Sequence, residues 1–212
     1  ADVEGYDACR KIAILTSLAY GKQVDYNDIY TEGITKITVE DFKYADSIGA
    51  TIKLVGTGKM TDGKISAMVT PVMVKAGHPL YTVDDVFNGI YVRGNMLGDS
   101  LFYGKGAGKL PTASAVAADV VEAVRNRHNN VPIIWSSDKQ HVTDYKDVVN
   151  SFFVRAKDTS FDEITKIFGE VTKVDSLVDG ETAFTTGKMT EGEFEDKYAK
   201  LAKEKYPDAD AR

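Results

Sequence analysis

Asp7 and Lys11 lie four residues apart in a segment with helical periodicity, so their side chains meet on one helical surface. In solvent such an ion pair contributes about 0.3–0.5 kcal/mol and nothing more. In a cleft the same two groups can do chemistry. The ammonium donates to a carbonyl that is gaining negative charge, and the carboxylate orients the lysine or a substrate amine. Spacing alone does not choose between the two. A second candidate is the loop Gly104-Lys105-Gly106-Ala107-Gly108, which follows a strand pattern and precedes a helix opening near Pro111-Thr112, so its amides could face an anion. It fits neither common nucleotide fingerprint. A G-x-G-x-x-G starting at Gly106 needs glycine where Pro111 stands, and one starting at Gly104 needs it at Lys109. A P-loop ending at Gly108-Lys109 needs Ser or Thr in place of Leu110. Read alone, the loop is a tight strand-to-helix turn. His78, His128 and His141 lack metal-ligand spacing, no G-x-S-x-G is present, and no metal site is expected. Cys9 is the only cysteine, which excludes an internal disulfide and a cysteine-built zinc site.

These residues need a scaffold, and the periodicity supplies one. Asp7–Tyr20 places Ala8, Ile12, Leu15 and Ala19 on one helical stripe, and Gly21 ends it. Thr38 with Asp41 three residues on predicts a capped second helix covering Phe42, Ala45 and Ile48. Thr51–Val55 and Lys64–Val74 read as strands separated by a segment whose Asp62-Gly63 is a hairpin signal, with Pro71 marking an edge or bulge. Gly89–Arg93 and Ser100–Tyr103 are two more strands. The Ala/Val-rich helix from Ala113 to about Arg127 is predicted to pack closely on the sheet. Periodicity then fades, with Trp135, Ile133 and Ile134 expected as a core anchor at the junction. From Val148 it restarts as β-α-β-β-α: Asn150–Ala156, Ser160–Glu170, Thr172–Val178, Glu181–Thr186 and Glu191–Glu204. The fold class is therefore α+β: a mixed sheet with helices packed on one face, followed by a small βαββα ferredoxin-like unit lacking its final strand. The expected domains are 1–130 and 148–212, joined by a linker at 131–147. Tyr206–Arg212 reads as an acidic tail.

Composition removes whole classes of function. The 212 residues carry 26 Lys+Arg against 32 Asp+Glu, a net charge of −6, and lack the basic field that phosphate backbones attract. Neither nucleic acid nor membrane is an expected partner, since no run of about 18 apolar residues occurs. No secretory signal opens the chain, and the single cysteine suits a reducing cytoplasm. The start at Ala1 rather than Met predicts a processed or truncated product.

Together the pieces resemble one family, the catalytic part of homoserine dehydrogenase. The resemblance rests on Asp2-Val3-Glu4-Gly5-Tyr6-Asp7-Ala8-Cys9-Arg10-Lys11 and the helix reaching Leu18-Ala19-Tyr20-Gly21. It continues through Phe42, Ala45-Asp46, Gly49, Ile52-Lys53-Leu54, His78-Pro79-Leu80 and Asn88-Gly89, then Gly104–Gly108, Pro111-Thr112 and Asp119. The match runs in order over about the first 127 residues. It implies NAD(P)-dependent interconversion of L-aspartate 4-semialdehyde and L-homoserine, on the route to threonine, methionine and isoleucine. It also implies Lys11 as proton donor, Asp2 and Asp7 as substrate-binding residues with Asp7 also catalytic, Gly106 and Gly108 on the cofactor side, and at least a homodimer. The family carries an N-terminal Rossmann domain with G-x-G-x-x-G and a substrate-binding glutamate before the first aspartate, and neither is found in these 212 residues. The expectation is a substrate and dimerisation domain that holds no NAD(P) tightly and is inactive without its nucleotide domain. The βαββα unit resembles the ACT regulatory module, although Asp158-Thr159-Ser160 stands where a D-x-P-G-like turn is expected, which weighs against threonine binding. The competing reading is a non-catalytic dimerisation or amino-acid-sensing domain.

Overall fold

The computed structural model describes residues 2–129, 132 and 135–205. The elements run α1 (Tyr6–Tyr20), β1 (Lys22–Gln23), β2 (Tyr30–Thr31), α2 (Val39–Ser47), β3 (Ala50–Thr61), β4 (Lys64–Lys75), β5 (Phe87–Gly94), β6 (Gly98–Lys105) and α3 (Lys109–Arg125). They continue with β7 (Ser136–Lys139), β8 (Val149–Asn150), β9 (Phe153–Lys157), α4 (Phe161–Phe168), β10 (Val171–Val174), β11 (Glu181–Thr186), β12 (Met189–Thr190) and α5 (Glu191–Lys205). The α+β mixture is as predicted. Two units separate: one holds the described residues of 1–48, 52–72 and 135–212, the other those of 49–51 and 73–134.

The first unit has two cores. In one, Cys9 and Ala13 of α1 pack with Val24, Ile29, Ala67, Val69 and Val142 over the sheet β2-β4-β3. β4 lies in the middle because β2 joins it in parallel at Met68 and Val69, which leaves Pro71 beyond the end of that ladder. Asp62 and Gly63 turn the chain between β3 and β4 with φ of 51° and 75°, the left-handed pair a tight hairpin requires. α1 approaches β3 where side chains are missing. A methyl at Gly58 would overlap Thr16 Oγ1, and one at Gly56 would press on Ile12. Thr16 Oγ1 is itself buried without a hydrogen-bond partner.

The second core lies under the sheet β10-β11-β9, where Val154, Ala156 and Phe184 meet Ile164 and Phe168 of α4 and Leu201 of α5. β9 and β10 both run antiparallel to β11, which sits between them, so β9-α4-β10 is a split βαβ crossover. Ser160 and Glu163 form a full capping box at the start of α4, as Thr38 and Asp41 do for α2. Tyr206–Arg212 lies outside the described residues.

In the other unit β5 and β6 pair from Phe87↔Lys105 to Gly94↔Gly98, longer than predicted at both ends. Three expectations need correction. α3 buries none of its side chains, and Val116, Val120, Val121 and Val124 are exposed, because an apolar stripe guarantees a face and not a partner. α2 itself runs as expected through Phe42 and Ala45 to a cap at Ile48, and its buried residues are Tyr44 and Ala45. The stretch expected as a linker contains β7, which pairs in parallel with β1. Trp135 donates its Nε1–H to Gln23 at 2.8 Å and is not buried, and Ile133 and Ile134 lie outside the described residues.

Candidate active site

The turn that starts α1 is built on Gly5. Its N–H donates to the Asp2 carbonyl at 3.0 Å and its own carbonyl accepts from Cys9 at 2.8 Å, with φ at +80°. A side chain there would also crowd Thr31 and Val69. The turn delivers Asp7 to the first helical turn, where the helix dipole favours a carboxylate. Lys11 follows one turn on, and its Nζ lies 2.6 Å from Asp7 Oδ2. Their side chains are 49% and 63% exposed, so both present free faces to solvent. Cys9 anchors the helix from beneath, buried and donating its Sγ–H to the Tyr26 carbonyl at 3.4 Å. The structure thus brings Asp7 and Lys11 together and places the exposed Asp2 at the head of the same turn.

A second strand of chain backs this turn. Glu32 N–H donates to the Val69 carbonyl and Ile34 N–H to the Val3 carbonyl, both at 2.8 Å. Between them Gly33 lies against Val3 and Glu4 so closely that a methyl group would overlap the Val3 carbonyl oxygen and Glu4 Cα. The sequence alone gives neither Gly5 nor Gly33 a task. Their backbone neighbours are distant in the chain, and only a positive φ or a close approach explains them.

Gly106 and Gly108 lie in the other unit. Gly106 N–H donates to the Val86 carbonyl at 3.1 Å, and a side chain there would overlap the Asn88 carboxamide. Gly108 is the N-cap of α3 with φ +118°, and no side chain caps that helix. The first N–H groups of α3 therefore keep their capacity for an anion, with Lys105 and Lys109 adjacent. Nothing lies within 4 Å of the space a Gly104 side chain would take. The loop is thus open, uncapped and basic. Asn88, which supports it, is reached only through this cross-strand contact.

His78 accepts from Leu80 N–H at 3.1 Å and meets the Tyr91 ring edge-on, while His128 accepts from Arg127. Among the described residues no group of His, Cys, Asp and Glu could hold a metal, and no helix is long and apolar enough to cross a membrane.

The chain is similar to known proteins. The family model for homoserine dehydrogenase matches residues 1–121. Homoserine dehydrogenase from Bacillus subtilis is 37% identical over 177 residues, covering 80% of this chain and 41% of the relative. That from Mycobacterium leprae is 49% identical over 132 residues, 60% of this chain and 30% of the relative. Among solved structures, a homoserine dehydrogenase from Thiobacillus denitrificans superposes with a TM-score of 0.82 at 28% identity, over 95% of this chain and 50% of that one. One from S. aureus gives 0.73 at 29% identity, over 94% and 51%. The chain spans about half the length, or less, of the relatives it matches.

Proposed function

The chain belongs to the homoserine dehydrogenase family, and on that premise we propose that it supplies the substrate-handling part of an enzyme reducing L-aspartate 4-semialdehyde to L-homoserine. The observation that carries the reading is the Asp7–Lys11 contact at 2.6 Å on the first turns of a helix introduced by Asp2. When the aldehyde carbon is reduced, negative charge develops on its oxygen. The Lys11 ammonium neutralises that charge and gives up the proton that makes the hydroxyl. Asp7 orients Lys11, and the Asp7 and Asp2 carboxylates attract the substrate ammonium. NAD(P), when bound, supplies the hydride. Gly106 and Gly108 are the residues assigned to it, through the uncapped start of α3 and the basic loop before it.

Residues 1–130 form the catalytic and dimerisation part in this reading, and 148–212 an ACT-like unit, with 131–147 running between them. The self-contained core under β10-β11-β9 and the split βαβ order support the ACT-like assignment. They also keep a second reading alive, in which this unit senses an amino acid. At the expected effector turn Asp158 adopts φ +48° and donates its N–H to Gly180, and the Thr159 side chain folds back on the Lys157 carbonyl. A cytoplasmic homodimer completes the proposal.

The test is Lys11→Ala in an enzyme that also carries its nucleotide-binding domain. Turnover should fall by about 10²–10⁴-fold, the usual worth of a positioned proton donor. Unchanged turnover would remove Lys11 from the chemistry. Calorimetric titration with threonine decides the sensing role, since an absence of heat and of thermal shift ends it.

A further inference from the structure

The side of the β10-β11-β9 sheet away from its own core is not bare. Alternation along β9 sends Val154 and Ala156 into the core and Phe153 and Arg155 to the other side, where α2 lies. Arg155 Nε and Nη2 donate to the two carboxylate oxygens of Glu181, each at 2.9 Å, a planar bidentate pair with a diagonal neighbour on β11. Glu181 is 7% exposed. The remaining Arg155 nitrogen, Nη1, reaches Asp41 Oδ1 at 2.6 Å and Thr38 Oγ1 at 3.2 Å. These are the two residues of the α2 capping box, in which Thr38 N–H donates to Asp41 Oδ2 at 2.7 Å. One guanidinium thus ties the C-terminal sheet to the start of α2.

The start of α2 is in turn tied to the turn before α1. Ile37 N–H closes a turn on the Ile34 carbonyl at 3.1 Å, immediately before Thr38, and Ile34 N–H donates to the Val3 carbonyl. Gly33, one residue earlier, packs on the Glu4 backbone with no space to spare. From Arg155 to Val3 every step is a hydrogen bond or a backbone contact within a few residues. We propose that Arg155 is a positioning residue for the Asp2–Lys11 segment, acting through the capping box of α2 and residues 33–37. The mechanical link stands on its own contacts, and only what the segment does rests on the function proposed above.

Amide hydrogen exchange on the 212-residue chain tests the link without any catalysis. Arg155→Met leaves Asp41 and Glu181 without their shared cation. The Ile34 and Gly5 amides should then exchange about tenfold faster, while the α4 amides of Ile164 and Gly169 keep their protection. Arg155→Lys, which restores the charge without the planar fork, should recover part of it, and it serves as the primary variant should Arg155→Met not fold. Unchanged Ile34 and Gly5 amides overturn the proposal. So does an equal rise at every amide, α4 included, which would make Arg155 a general stabiliser. The Lys11→Ala assay decides the proposed reaction separately, so the two ideas fail independently.

Discussion

The Tyr44 hydroxyl oxygen accepts the backbone N–H of Leu177 at 3.0 Å, joining α2 to the loop between β10 and β11 across 133 residues of sequence. The same oxygen accepts Val178 N–H at 3.3 Å, and the Tyr44 ring lies 5.6 Å from Phe153 and 5.3 Å from the Arg155 guanidinium carbon. Tyr44 is fully buried, so its hydroxyl oxygen spends its accepting capacity on these loop amides.

Tyr44→Phe keeps the ring and removes the acceptor from two amides. The expected cost is about 1–3 kcal/mol, the desolvation penalty of stranded polar groups. For a chain of this length each kcal/mol lowers the melting temperature by roughly 2–4 °C. Thermal denaturation checks it, and an unchanged midpoint would mean that water replaces the hydroxyl.

Glu191 gives a pH dependence of defined sign. Burial pushes its carboxyl up from the ordinary 4.5, the hydrogen bond from Asn150 opposes that, and Glu195 and Glu32 add to the rise. The folded state therefore holds this proton more tightly than the unfolded chain. The stability it contributes is present below the ordinary carboxyl range and lost as pH rises through the raised value. Glu191→Gln, which still offers Asn150 a carbonyl oxygen, should be more stable than the parent near neutrality, with the gap closing on acidification. Urea midpoints across that range measure it, and a gap that widens on acidification contradicts it.

The valines of α3 give the opposite expectation to core residues. Val120 and Val124 are 56% and 63% exposed, so replacing both by Ser should change chain stability by no more than about 0.5 kcal/mol. A loss of several kcal/mol, read by denaturant titration, would show that they are covered.

A polypeptide of these 212 residues and no others should not oxidise homoserine with NADP. Its one glycine loop lacks the G-x-G-x-x-G turn that seats a pyrophosphate. A steady-state assay showing ordinary turnover would overturn that expectation.

Local chemistry made much of this molecule legible in advance. Helical spacing put Asp7 beside Lys11, Thr38-Asp41 marked a helix start, and Asp62-Gly63 marked a hairpin, because each depends on residues at most four positions apart. Motif order over the first 127 residues pointed to the family, and the family model bears it out. The tertiary structure decided what local pattern cannot encode. Gly33 is glycine because Val3 and Glu4 pass over it, and Gly106 because Asn88 does. Tyr44 rather than Phe42 became the buried aromatic of α2 because the loop before β11 needed an acceptor as well as a ring. Arg155 found Asp41 across 114 positions. α3, rich in Ala and Val, remained exposed, since amphipathicity specifies a face to be buried and only long-range packing determines whether anything buries it.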